Sequence, residues 1–252
     1  MLLSVKPQDQ LGNKLLAALP GAEYKHILPD LDQTFFSFGE SVYESSERLN
    51  YAYFPITSVI SMVYTMRDGV SAEMGMVGNE GLIGITLFTG GETSPNRAIV
   101  QHAGGAIRMK ASAFREEFRR GGSFQRLSLR YMQALLTQIS QKAVCNGLHS
   151  IEQRLACWLL MTHDRVGSEK LQVTQEFVSN LLGARREWVS LTTGSLRNKG
   201  VIVCKRGHIT ILDRVGLEAT ACECYSVIKE EYDRLLDLRT SLSLPSVYAT
   251  SR

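Results

Sequence analysis

Apolar residues recur along this chain at two different spacings, and the switches between them divide it. Asn13 to Leu19 (NKLLAAL) predicts a short apolar helix stopped by Pro20, and a second fits Tyr24 to Leu28 before Pro29. From Thr34 to Lys110 helical spacing gives way to short β-branched and aromatic runs. These are Phe35–Phe38 before Gly39-Glu40, Tyr51–Pro55, Ser58–Tyr64, Ser71–Val77, Ile83–Phe88, Arg97–Gln101 and Ala106–Met109, with turns such as Asp68-Gly69 between them. Many short strands at this spacing predict a sandwich, roll or barrel. Helical spacing then resumes with Ser112 to Arg120, ended by Gly121-Gly122, after which Ser123 can cap a long helix from Phe124 to about Leu148. On that helix Leu127, Tyr131, Leu135, Ile139 and Ala143 form one line, the seam a helix needs to pair with a second copy of the chain, and this reading is preferred to an ordinary core helix. Leu129, Met132 and Leu136 are left to face the strands. Ser150 to His163 predicts a further helix with Gly147 as the hinge before it, Leu217 to Leu238 an amphipathic helix, and Ser241 to Arg252 a disordered end.

Between the last two helices lies VTQEFVSNLLGARREWVSLTTGSLRNKGVIVCKRGHITIL, from Val173 to Leu212. Thr174 can cap a helix carrying Phe177, Val178, Leu181 and Leu182, which Gly183 stops. A second helix fits Arg185 to Asn198, with Trp188, Val189, Thr192 and Leu196 as its buried face and Gly200 just past its end. Two β-branched runs around Lys205-Arg206-Gly207 then predict a hairpin. Helix, turn, helix, hairpin is the outline of a winged helix-turn-helix, whose second helix enters a DNA major groove. Charge changes the picture in the same direction. From Ala184 to Arg206 the chain carries Arg185, Arg186, Arg197, Lys199, Lys205 and Arg206 against the single acid Glu187, a patch that attracts phosphates whatever the DNA sequence. Arg185, Arg186, Glu187 and Ser190, at the start of the second helix, are best placed for base edges, because arginine can fork onto guanine and glutamate can accept from cytosine.

Gly183-Ala184-Arg185-Arg186-Glu187-Trp188-Val189 matches the pattern Gly-x-x-Arg-Glu-x-Val, and with it the chain resembles the Crp/Fnr family of bacterial transcription regulators. The resemblance implies an α+β fold: an N-terminal antiparallel β-roll (a double-stranded β-helix, cupin-like) of the cyclic-nucleotide-binding type, a long dimerisation helix, and a C-terminal winged helix-turn-helix. The divisions it suggests are 1–122, 123–149, 150–214 and a C-terminal helix with tail over 215–252. It assigns base reading to Arg186 and Glu187, while Thr174, Gln175, Lys199, Lys205 and Arg206 are the expected phosphate contacts. Where cyclic-AMP-binding relatives have a further base-contacting arginine this chain has Leu191, so a different operator is implied. The expected partners are double-stranded DNA with a pseudo-palindromic site, a second copy of the chain, since a two-fold site requires a two-fold protein, and RNA polymerase.

A cyclic nucleotide would need free backbone N–H groups, an arginine for its phosphate and a carboxylate for its ribose. The candidate residues are Gly78, Asn79, Glu80, Gly81, Arg97 and Ser140. Gly78-Asn79-Glu80-Gly81-Leu82 resembles the start of the family's phosphate cassette, but Asn79 holds the carboxylate position and Glu80 follows one place late. Asn96-Arg97-Ala98 likewise puts the arginine one place late, on a strand where a single step turns a side chain to the opposite face. Aligned back from Ile151, the residues that would meet the base become Leu135, Ile139 and Ser140, of which only Ser140 keeps the family's polar character. The sequence therefore predicts a roll that does not answer to cyclic AMP, and no cofactor is expected.

The 252 residues carry a net charge of only +3, so clustering, and not total charge, argues for nucleic acid. There is no apolar run of about 18 residues to span a membrane and no export signal. Five cysteines, odd in number and irregularly spaced, suit a reducing cytoplasm. None precedes Cys145, which excludes the N-terminal iron–sulfur arrangement known in this family. Cys222-x-Cys224 falls on a predicted helix, where residues two apart point about 200° from one another, so joint ligation is unfavourable. His149 and His163 have no partner at ligand spacing, so no metal site is expected. Walker, Gly-x-Ser-x-Gly, His-Glu-x-x-His and dinucleotide-binding motifs are all absent, which argues against an enzyme. The competing functions are a regulator gated by a cyclic nucleotide or other small ligand, and a protein-interaction adaptor that no longer reads DNA.

Overall fold

The computed structural model describes residues 12–205 and 207–236. Two short helices, α1 (Lys14–Ala17) and α2 (Gly21–Ile27), precede the strands. Asn13 is fully buried and fixes the start of α1. Its Oδ1 accepts from the backbone of Leu15 and Leu16, capping α1, while its Nδ2 donates to the carbonyls of Pro55 and Gly81 at 2.9 Å each.

The β-rich stretch forms two antiparallel sheets. In one, β7 (Gly104–Lys110) lies between β1 (Leu31–Phe36) and β3 (Tyr51–Pro55). In the other, the order is β2 (Ser41–Tyr43), β6 (Arg97–His102), β4 (Val59–Thr65) and β5 (Ser71–Val77). Inward side chains including Phe54, Ile60, Met76, Val100 and Ile107 contribute to one core. Ile83–Phe88 is not a strand: apart from a bridge between Ile83 and Tyr53, it turns into the short helix α3 (Thr86–Thr89).

Helix α4 (Ala111–Arg120) leads into the long α5 (Gly122–Leu148). The cap of α5 comes from outside the local sequence. The Glu23 carboxylate on α2 accepts from the backbone N–H groups of Ser123 and Phe124 at 2.9 and 3.1 Å, a favourable place for an anion. Gly147 remains helical, and the bend falls at extended His149 and Ser150 before α6 (Ile151–Val166), whose first turn is a Ser150–Gln153 capping box. Strand β8 (Lys170–Gln172), helices α7 (Gln175–Leu182) and α8 (Arg186–Asn198), and the hairpin β9 (Ile202–Lys205) and β10 (His208–Ile211) follow; β10 lies between β8 and β9. The expected single helix from Leu217 is two, α9 (Arg214–Thr220) and α10 (Cys224–Leu236), broken at 221–223. The predicted extension to Leu238 and the tail from Ser241 lie outside the described residues.

The long helix departs most from expectation. Leu127, Tyr131 and Leu135, placed in the seam between two copies, are buried within the single chain, Ile139 is half-buried, and only Ala143 is exposed. The apolar line faces the strands and α10, which runs antiparallel along α5 with Tyr232 beside Tyr131 and Cys224 beside Gln141. Leu129 and Leu136, assigned to the strands, are instead 42% and 61% exposed. The two faces of α5 are exchanged because α10 covers the one with the more continuous apolar line.

Candidate nucleic-acid interface and the region of the roll

The helix pair is built as its caps require. Thr174 Oγ1 accepts from Phe177 N at 3.1 Å to start α7, and Gly183 ends it in the left-handed conformation (φ 59°), which an L side chain rarely adopts. Val189, Thr193 and Leu196 fix α8 to the core. Trp188 was expected in that face but is 55% exposed, and Thr192 is half-buried where Thr193 is buried. Arg185, Arg186, Glu187 and Ser190 are all exposed at the start of α8. A cleft between α7, α8 and the hairpin is lined by Thr174, Gln175, Arg186 and Lys205 together. Lys199 lies at the other end of α8, where its ammonium is 3.0 Å from Glu152 and Ser195 Oγ donates to the same carboxylate at 2.7 Å. The Ser195 hydrogen bond and Lys199 hold the Glu152 carboxyl below its ordinary range. Arg206 lies outside the described residues.

Of the six residues considered for a cyclic nucleotide, Gly78, Asn79, Glu80 and Gly81 share one turn, but Arg97 and Ser140 do not join them. Gly78 N donates to Glu80 Oε1 at 3.2 Å, and that carboxylate is taken by Arg165 of α6, whose Nε donates to it at 2.8 Å. Arg165 also donates to Gln138 Oε1 at 3.0 Å and to the Met161 carbonyl at 2.9 Å. Burial alone would lower the Arg165 pKa, but Glu80 and neighbouring Tyr232 outweigh it and the pKa is raised. Arg97 pairs with Val63, whereas Ile60 pairs with Val77 beside Gly78; three residues of strand, about 10 Å, separate the two positions. Its guanidinium faces Glu44 instead, and Ser140 is exposed on α5. These residues do not fit a cyclic phosphate: the carboxylate is neutralised from within and the arginine is elsewhere.

A polar chain also joins the roll to α6. Lys142 pairs with Glu73, Ser61 Oγ donates to Glu73 at 2.6 Å and stands 2.8 Å from Gln101 Oε1, and Gln101 Nε2 donates to Thr162 at 2.7 Å. Phe177 of α7 meets Phe38, with ring centroids 5.3 Å apart. Apart from Ser61 and Glu73, on neighbouring strands, these partners could not be assigned from sequence, because they lie forty or more positions apart.

The expectation that no residues group for a metal is not met. Cys145, His149, Cys222 and Cys224 offer ligand atoms that all lie within 4.8 Å of one another. The helical argument against Cys222-x-Cys224 fails because Cys222 precedes α10, and the two thiols are not held on one helix. Hydrogen bonding to Cys157 and Cys145 holds the Cys222 thiol down, while burial pushes Cys145 up.

No helix among the described residues is long and apolar enough to cross a membrane. A β-roll, a long helix and an exposed second helix with a three-stranded wing define a β-roll joined to a winged helix-turn-helix. Residues 153–220 match the family described as the Crp-like helix-turn-helix domain. FixK2 from Bradyrhizobium japonicum is similar at a TM-score of 0.65 and 16% identity, over 76% of this chain and 98% of FixK2. A CRP-family transcriptional regulator from Thermus thermophilus gives 0.64 and 18%, over 75% of this chain and 96% of its own. The c-di-GMP-responsive global regulator CLP from Xanthomonas campestris gives 0.63 and 13%, over 77% and 100%. No curated protein matches the sequence. The chain carries a Crp-like helix-turn-helix domain and has the fold of the Crp/Fnr regulators.

Proposed function

We propose that this chain is a sequence-specific DNA-binding transcription regulator of the Crp/Fnr type, acting as a homodimer in the cytoplasm and not responding to cyclic AMP. The observation that carries the reading is the convergence of Thr174, Gln175, Arg186 and Lys205 on one cleft, with Arg185, Glu187 and Ser190 exposed at the start of α8. Arg186 and Glu187 read bases, with Arg185 and Ser190 beside them; Thr174, Gln175, Lys199 and the wing, including Arg206, hold phosphates. Pairing of two copies uses the outer stripe of α5, where Leu129, Leu136 and Ala143 are exposed at seven-residue spacing. It sets the two α8 helices about 34 Å apart, in successive major grooves of a pseudo-palindrome. RNA polymerase is a partner of the DNA-bound dimer in this reading.

Selection from a randomised duplex pool, with no nucleotide added and at near-physiological salt, tests the proposal. Enrichment of an inverted repeat is expected. Binding with no preferred sequence, with or without cyclic nucleotides, would leave the adaptor reading in its place.

A further inference from the structure

Four side chains that sequence spacing keeps apart meet where the long helix ends. Cys145 lies in the last turn of α5, His149 is the extended residue between α5 and α6, and Cys222 and Cys224 flank the start of α10. Cys145 Sγ is 3.5 Å from Cys222 Sγ, and His149 Nδ1 is 3.4 Å from Cys224 Sγ. In a tetrahedral zinc site, with Zn–S about 2.3 Å and Zn–N about 2.0 Å, neighbouring ligand atoms stand roughly 3.5–3.8 Å apart. Two edges of such a tetrahedron are therefore already formed, and the widest separation in the set, within 4.8 Å, needs only about 1 Å of closure to complete it. A disulfide would need sulfurs at about 2.05 Å and would use only two of the four groups.

The surroundings are those of a ligated shell. His149 turns its other nitrogen, Nε2, towards the Glu223 carboxylate at 3.4 Å, the carboxylate–histidine pairing that orients a metal-bound imidazole. Gln141 Nε2 donates to Cys224 Sγ at 3.3 Å. A small cavity of ≈ 30 Å³ opens beside Cys145 and Cys224, walled by Trp158, Met161, Leu182 and Ile228. Half-buried Arg154 lies within electrostatic reach of Cys145, and its buried Nε has no hydrogen-bond partner. Three thiolates and one neutral imidazole around a divalent cation leave one negative charge, which this guanidinium offsets.

We propose that Cys145, His149, Cys222 and Cys224 form a tetrahedral site for a thiolate-binding divalent cation, Zn²⁺, that ties the end of α5 to the start of α10. Thiolate and imidazole select Zn²⁺ over Mg²⁺, Ca²⁺ and Mn²⁺, which prefer oxygen. Each thiol that ligates releases its proton to solvent. Cys157, buried on α6 and outside the mutually close set, is not a ligand. Because His149 is the bend between α5 and α6, the bound cation fixes the angle from which α8 is presented. That last consequence rests on the DNA-binding reading; the ligation does not.

The test uses the full chain, reduced and stripped of metal, titrated with Co²⁺ as a spectroscopic stand-in and then with Zn²⁺. One Co²⁺ per chain, with tetrahedral d–d bands and thiolate charge transfer that Zn²⁺ abolishes, is expected. Cys222→Ser and His149→Ala should each weaken uptake by about 100-fold or more, and Glu223→Gln by about 10-fold. Glu223 is 71% exposed, so that variant keeps the fold. Cys204→Ser, on β9, should leave uptake unchanged. A spectrum of octahedral Co²⁺, or tetrahedral bands that survive both Cys222→Ser and His149→Ala in folded protein, would overturn the site. Zn²⁺ uptake with unchanged affinity for the selected DNA would overturn only the coupling to α8.

Discussion

A Cβ added to Gly81 would stand 2.2 Å from Cε2 of Tyr131 and 2.7 Å from its hydroxyl oxygen. The turn that resembles a phosphate cassette is thus pressed against the middle of α5, and Tyr131 is fully buried there. Gly81→Ala should destabilise the protein by about 1–3 kcal/mol through overpacking, read as a lower urea midpoint. Calorimetric titration of the unaltered chain with cyclic AMP should give no binding heat; a saturable signal would contradict the reading that the neutralised Glu80 and the displaced Arg97 leave no phosphate site.

Arg165 and Glu80 make a second prediction, because both are buried and each is the other's charge partner. Arg165→Met leaves Glu80 without its cation and should cost about 3–5 kcal/mol. Adding Glu80→Gln to Arg165→Met should restore most of that loss, since neither charge then remains buried alone. Chemical denaturation of the single and double variants measures the difference. Additive losses would show that the two residues act separately.

The two faces of α5 separate folding from pairing. Leu136→Glu, on the exposed stripe, should yield a folded monomer by sedimentation, with little change in thermal stability of the subunit. Leu135→Ala, on the buried face, should cost about 2–5 kcal/mol through the cavity it leaves. Pairing that survives Leu136→Glu would move the seam elsewhere.

The helix-turn-helix was legible because its signals are local. Thr174 before α7, Gly183 after it and the basic turn of the hairpin act within a few residues, and each element formed within about one residue of expectation. The orientation of α5 was not legible from its periodicity. Leu127 and Leu129 are both apolar, and α10, approaching from almost a hundred residues away, decides which of them is covered. The cysteine–histidine cluster was hidden for the same reason: Cys145 and Cys222 are 77 positions apart, and the break at 221–223 that frees Cys222 from a helix carries no strong stop signal. Trp188 misled because a large aromatic at helical spacing ordinarily belongs to a core, whereas here it is exposed on α8 beside Leu191, which is 66% exposed.

Phosphate and base contacts should differ in how they fail. Lys205→Ala, on the wing, should weaken binding to all duplexes alike and lower the salt slope by about 1. Anisotropy titrations over a range of salt on cognate and scrambled duplexes would show this, and a loss confined to the cognate duplex would instead make Lys205 a base reader.

The most direct test of base reading by α8 is a comparison of Arg186→Ala with the unaltered chain on a panel of single-base variants of its selected inverted repeat. One base pair in each half-site should lose about 1–3 kcal/mol of discrimination, with affinity for scrambled DNA falling far less. An Arg186→Ala protein that keeps its full preference at every position would contradict the account.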